Sequence, residues 1–242
     1  MMMTTIRKNS TADADQNDLV TEYPDETGLV TEYLDETGLV TEYLDETGLE
    51  SAAALFYQAF SSKFKTIRNM PEAQRQAVLA MFWQRGLSDP YDRHFQVKRN
   101  GKLVAVYGLT YGVKHPPENA PAPVSSVAIL RKAGFLSFLK IRRIFQMFVH
   151  IPAADTAYLS YLCVDESLRG TGIGNQILDE ITTQLRTDPA ITRLSLYVSD
   201  LNTKARELYL RRGFQDVKYE TSHTTKRYMD IYGWYYMALP II

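Results

Sequence analysis

Cysteine occurs once in these 242 residues, at Cys163, which excludes an intramolecular disulfide framework. Its apolar surroundings read as a buried thiol in a reducing compartment, the cytoplasm. Long hydrophobic runs are missing as well. None reaches the roughly 20 residues that span a bilayer, so no transmembrane segment is expected. The opening MMMTTIRKNS has two basic residues but no apolar stretch behind them, unlike a secretory leader. The four histidines, His94, His115, His150 and His223, lack the spacing of a metal site and read as surface or structural, so no metal is expected. Basic residues are dispersed and no nucleic-acid-binding motif is present, which argues against a nucleic-acid partner.

What is present is globular: 45% hydrophobic and 23% charged residues, at a length that suits one domain plus an extension. Charge is divided unevenly. Residues 1–50 hold thirteen acidic and two basic residues, a net of -11 against +10 in the remainder, as for an acidic tail beside a domain that attracts anions. Three tandem decapeptides fill that tail, LVTEYPDETG from Leu19 and LVTEYLDETG from Leu29 and again from Leu39. Ten residues is shorter than the roughly 20 to 50 of stacking repeats. Each copy carries a net charge of -3 and closes on Gly. Residues 1–48 are therefore expected to form a flexible or loosely helical extension, or else a docking or inhibitory segment, and 49–242 the domain.

From Leu49, the spacing of Leu55, Phe56, Ala59, Phe60 and Phe64 predicts a helix. Pro71 and Glu72 open a second, with Val78, Leu79 and Phe82 on its apolar side before Gly86. HFQVKR and KLVAVYGLTY flank Asn100-Gly101, the signature of a tight hairpin. Four prolines make 113–125 a loop, and Phe138, Ile141, Ile144, Phe145, Phe148 and Val149 then line one arc of an amphipathic helix. Loop and helix together, 113–150, read as an insertion packed on the domain. The last third alternates strand TAYLSYLCV, a glycine-rich turn, helix GNQILDEITTQL, strand RLSLYVS, a helix from Asn202, and two further strand-like runs. This contains a βαβ crossover, hence a parallel pair, with the final runs extending the sheet antiparallel. The class is mixed α/β.

The turn reads Arg169-Gly170-Thr171-Gly172-Ile173-Gly174. A helix start presents unpaired N–H groups and the positive dipole end, and glycines let an anion approach them. Asn175-Gln176 stands where a phosphate-binding loop needs Lys and Ser or Thr, and Asn175 where a dinucleotide fingerprint needs Gly, so both of those readings fail. Arg-x-x-Gly-x-Gly at Arg169, Gly172 and Gly174, preceded by Val164-Asp165, resembles the pyrophosphate-binding motif of the GNAT superfamily of acyl-CoA-dependent N-acyltransferases. Asn202-x-x-Ala205-x-x-x-Tyr209-x-x-x-Gly213-Phe214 is similar to that family's next motif. The resemblance covers residues 155 to 216 and extends back towards Leu49.

The resemblance implies a mostly antiparallel sheet whose parallel central strands splay apart, with flanking helices. It implies that backbone groups of Leu162, Cys163 and Val164 pair with the pantetheine arm of acetyl-CoA and that the amides from Arg169 through Gly170, Thr171, Gly172, Ile173 and Gly174 hold its pyrophosphate. Asn202 would bond the arm, Ala205 would leave it room, and Lys204, Arg206 or Arg211 would reach the remaining phosphate. Tyr209 would be the general acid for the departing thiolate, and an amide near Leu162 or Cys163 would meet the oxyanion. The implied reaction is acetyl-CoA-dependent N-acetylation of a primary amine, small-molecule or peptide, by direct attack in a ternary complex; a homo-oligomer is compatible with it. The strand before the turn offers Tyr158, Ser160 and Tyr161 but no carboxylate base. An ordered water, Asp155 or Glu166 are the alternatives. A non-catalytic acyl-CoA binder, with the acidic repeats as a docking module, is the competing reading.

Overall fold

Asn100 and Gly101 take positive φ, 52° and 74°, and close a hairpin between β3 (Asp92–Arg99) and β4 (Lys102–Tyr111), as a two-residue turn requires. This hairpin begins the sheet that carries the rest of the fold. The structure is a computed structural model and describes residues 33–34, 38–67, 69–114 and 123–241. The first decapeptide and most of the proline loop lie outside the described residues.

On the far side of β4 stand β5 (Thr156–Val164) and β6 (Arg193–Ser199), then β8 (Gly233–Pro240) and β7 (Gln215–Thr221). On the near side of β3 stand β2 (Leu39–Tyr43) and the two-residue β1 (Tyr33–Leu34). The order is β1-β2-β3-β4-β5-β6-β8-β7, antiparallel except at β5 and β6. That is the mixed α/β class expected.

α5 (Ile173–Arg186) covers one face with Ile177, Leu178, Ile181 and Leu185, packed on Leu159, Leu194 and Leu196. α1 (Leu49–Phe60), a 3-10 segment (Ser61–Ile67) and α2 (Glu72–Gly86) cover the other, with Phe56, Val78, Leu79 and Trp83 gathered on Val106 and Cys163. Each such side chain contributes about 1.5–3 kcal/mol by leaving water. α6 (Thr203–Arg211) follows β6, and α7 (His223–Met229), which no sequence pattern announced, joins β7 to β8.

The expected amphipathic helix is two helices. Gly134, at φ 76°, separates α3 (Ser126–Ala133) from α4 (Phe135–Gln146). Ile141 and Ile144 are fully buried and Phe138 and Phe145 stack on Phe82, so the stripe packs as expected. It ends early, however. Met147 and Phe148 amides bond the carbonyls of Ile144 and Phe145, a tightened last turn. Phe148 lies past the helix end, though it still packs on the same core, and Val149 is 70% exposed.

Residues 1–48 are not one extension. The first half of the third decapeptide is β2, paired with β3 from Leu39↔Arg99 to Tyr43↔Phe95. Leu39 and Thr41 point inward and are buried, Thr41 Oγ1 donates to Glu180 Oε2 at 2.9 Å, and Glu42 pairs with Lys98 at 2.6 Å. Alternation of burial over five residues, supported by strand β3 more than 50 residues away, outweighs the acidic composition that suggested an extension. The second copy supplies Tyr33 and Leu34, which pair with Thr41 and Val40. Every residue of β2 recurs ten positions earlier. A chain lacking residues 29–38 therefore keeps the same β2 sequence and is expected to melt within about 3 °C of the full chain. Removing 1–48 strips buried Leu39 and Leu44 and is expected to lower Tm by about 8–24 °C, from about 2–3 kcal/mol per Leu at 2–4 °C per kcal/mol. Calorimetric melting of both deletions checks this.

Candidate active site

The parallel pairing of β5 and β6 runs only from Thr156↔Arg193 to Leu159↔Leu196. Beyond it β5 stays on β4, as far as Val164↔Ala105, and β6 stays on β8, as far as Ser199↔Trp234. Between them the sheet parts. The cause lies in the register with β4: Gly108 pairs Tyr161 while Leu109 pairs Leu159, which leaves Ser160 as a bulge. A bulge bends and further twists its strand. Gly108 permits it, since a Cβ there would stand 2.5 Å from the Tyr161 ring. The gap opens into a cleft of about 1550 Å³.

At one end of the cleft β5 hands over to the glycine turn. Asp165 accepts from the Ser167 amide, and Arg169 Nε reaches back to the Val164 carbonyl at 3.2 Å. Gly170 and Gly172 sit at φ 83° and 97°, conformations an L side chain adopts only with strain. Gly172 is the residue before the first turn of α5. The amides of Gly170, Gly172, Ile173 and Gly174 donate to no backbone acceptor, and a Cβ on Gly170 or Gly172 would meet nothing within 4 Å. This is an open row of donors at the positive end of a helix, fit for a diphosphate. Ile173 gives only its amide, its side chain being buried in the core, and the Thr171 hydroxyl is bound to the Leu168 carbonyl.

Across the gap, α6 presents Asn202, Ala205 and Tyr209, and all three line the cleft together with Leu162, Cys163, Val164, Arg169, Gly170, Gly172 and Gly174. Asn202 Oδ1 caps α6 on the Ala205 amide, which leaves its amide hydrogens as donors. Tyr209 packs on Phe214, ring centroids 5.5 Å apart. Burial, together with the neighbouring Cys163, pushes its phenol well above the usual value. Burial also pushes the Cys163 thiol up, so that it stays protonated and unreactive. Of the three cations considered for the remaining phosphate, Lys204 and Arg211 line the cleft; Arg206 is bound to Asp216 and lies over the Tyr235 ring.

Neither loop acid is among the residues that line the cleft. Asp155 is exposed before β5 and accepts from Thr192 and Thr156. Glu166 accepts from Gln58 at 3.4 Å. The structure instead brings in residues the motifs did not single out. Lys63 Nζ stands 4.1 Å from the Phe60 ring, 5.1 Å from Phe148 and 5.4 Å from Trp234, and burial lowers it to about 8 despite the Cys163 thiol. His150 packs on Tyr158 at 4.5 Å and Tyr197 at 5.5 Å. His94 is held by the Tyr161 hydroxyl at 2.7 Å and pushed down to about 4 by burial. Asp92, Thr110 and Ser160 also line the cleft. One signal pointed to them: Asp92, His94 and Gln96 alternate on a strand face that helices cover, where polar side chains need a reason.

Among the described residues no helix is long and apolar enough to cross a membrane. Comparison with curated protein sequences gives no significant match. Solved structures are similar in fold. Spermidine N-acetyltransferase from Vibrio cholerae, in complex with CoA and spermine, shares 14% identity at a TM-score of 0.54 over 85% of this chain and 97% of its own. An acetyltransferase of the GNAT family from Streptococcus pneumoniae shares 15% at 0.51 over 84% and 99%, and an uncharacterized protein from Bacillus halodurans 11% at 0.58 over 89% and 92%. The model of the acetyltransferase (GNAT) family matches residues 53–214, which take in the parted strands, the glycine turn and α6, and the chain belongs to that family.

Proposed function

We propose that this protein is an N-acetyltransferase that uses acetyl-CoA as co-substrate and acetylates a primary amine by direct attack in a ternary complex. The observation that carries the reading is the parting of β5 from β6 beside a turn whose Gly170, Gly172, Ile173 and Gly174 amides lack backbone acceptors. The diphosphate would lie on Gly170, Gly172, Ile173 and Gly174, and the pantetheine arm along Leu162 to Val164. The family match and the fold shared with an enzyme solved with CoA and spermine support the same assignment.

Tyr209 would serve the leaving group. A phenol raised by burial keeps its hydrogen at every physiological pH, so a donor is always ready. A departing thiolate near pKa ~8.5 gains a hydrogen bond as its charge grows. Backbone amides of Leu162 or Cys163 would meet the carbonyl oxygen, in a site where burial strengthens the interaction. The acceptor would enter between the aromatic wall of Phe60, Phe148 and Trp234 and the sheet.

Acetyl-CoA at a hundred times its Kd is expected to raise Tm by about 5–10 °C, from about 2.7 kcal/mol of linkage at 2–4 °C per kcal/mol. An unmoved Tm contradicts the assignment. Gly172→Ala, which forces a side chain to φ 97°, is expected to weaken acetyl-CoA binding about 5- to 150-fold, measured by calorimetry, for a strain of about 1–3 kcal/mol. Tyr209→Phe is expected to slow thiol release with an amine panel about 10²-fold or more at nearly unchanged cofactor affinity. Equal turnover removes Tyr209 from the reaction.

A further inference from the structure

Three polar side chains on the α1 and α2 side of the sheet form a continuous hydrogen-bonded row. Asp92 opens β3, Thr110 stands opposite it on β4, and Ser160 is the bulged residue of β5. Thr110 Oγ1 donates to Asp92 Oδ1 at 2.6 Å and lies 2.6 Å from Ser160 Oγ. Hydrogen counting sets the direction of the row. An ionised carboxylate only accepts, and a hydroxyl has one hydrogen. Thr110 uses its hydrogen on Asp92, so the hydrogen between Thr110 and Ser160 belongs to Ser160. What Ser160 retains is a lone pair. The row therefore ends, where the strands part, in an acceptor for an N–H donor.

We propose that Ser160, Thr110 and Asp92 are the proton relay of the reaction, with Ser160 in contact with the acceptor nitrogen of a primary amine and Thr110 and Asp92 acting through it. The proposal rests on the acetyltransferase reading. The amine arrives as an ammonium ion: one nitrogen hydrogen passes to Ser160 Oγ, the Ser160 hydrogen to Thr110 and the Thr110 hydrogen to Asp92 Oδ1, which frees the nitrogen lone pair to form the N–C bond. As the C–S bond breaks, its electron pair leaves on sulfur, which takes its proton from Tyr209, and the second nitrogen hydrogen passes to solvent. Amide and thiol result, and both side chains reset by exchange with solvent. The row needs the bulge. In a regular strand, residue 160 would take its turn in the ladder with β4, whereas between the pairs Leu109↔Leu159 and Gly108↔Tyr161 it has no cross-strand partner.

The surroundings suit the end of a relay. Asp92 lies near Asp89 from the connection after α2, Arg93 and His94 of its own strand and Tyr161 of β5. Burial raises its carboxyl to about 6, with Asp89 adding to the rise and the Thr110 bond and Arg93 opposing it. A base acting near neutral pH works best with a pKa close to that pH. His94 and Tyr161 are held neutral at pH 7 by burial.

The test is thiol release from acetyl-CoA with a panel of primary amines (an amino acid amide, a diamine, a lysyl peptide) across pH, for the full chain, Asp92→Asn and Ser160→Ala. The full chain is expected to gain kcat/KM as pH rises through about 6. Asp92→Asn is expected to lose that limb, to run about 10²- to 10³-fold slower at pH 7, and to recover as pH passes the acceptor's own pKa, where the amine is already neutral. A merely structural role would not produce that recovery. Ser160→Ala, a truncation at a partly exposed position, is expected to match it and decides the matter if Asp92→Asn fails to fold. Variants with the full chain's rate and profile, or with one uniform deficit at every pH, overturn the relay alone. A full chain that releases thiol with none of the amines overturns the acetyltransferase reading and the relay with it.

Discussion

The structure turns on a place where a hydrogen-bond ladder stops. β5 and β6 share four register pairs and then follow their outer neighbours, β4 and β8. Parting two strands leaves backbone donors and acceptors unpaired, which costs about 1–3 kcal/mol for each group left buried and unmet. The ladders to β4 and β8 hold both strands in place while the gap stays open, so the unmet groups are held ready for a ligand that can pair with them. The glycine turn extends the same arrangement. Positive φ at Gly170 and Gly172 turns a run of amides outward at the start of α5, and Asp165 and Arg169 brace the turn from within.

Burial then sorts the titratable groups around the gap. It raises the phenols of Tyr158 and Tyr209 and the thiol of Cys163, and lowers Lys63 and His94. Each of these shifts favours the neutral form, as removal from water does. Lys63, lowered to about 8 among three aromatic rings, still carries most of its charge at neutral pH.

The readable parts of the sequence were those governed by local rules. Asn100-Gly101 dictated its hairpin, the stripe from Ile177 to Leu185 dictated which side of α5 is buried, and the glycine turn pointed to amides at a helix start. β2 was obscured because Leu39–Tyr43 belongs to an acidic repeat, and its alternation gains meaning only against β3. The row of Asp92, Thr110 and Ser160 was hidden for a related reason, since it joins three strands and depends on a bulge. Gly108 inside KLVAVYGLTY was its trace, marking a close approach of backbone and ring. Phe148 and Lys63 meet in the cleft from separate elements, one placed by a tightened helix end. No periodicity could assign that placement.

If the cleft binds as proposed, the glycine turn and the free edge of β5 receive one ligand together. Amide-resolved nuclear magnetic resonance of the full chain, titrated with coenzyme A, addresses this directly. Gly170, Gly172 and Gly174 are expected to shift in concert with Leu162, Cys163 and Val164 and to saturate at a single ligand concentration, while β2 and its neighbour β3 stay still. Shifts confined to other parts of the chain, or none at all, would contradict it.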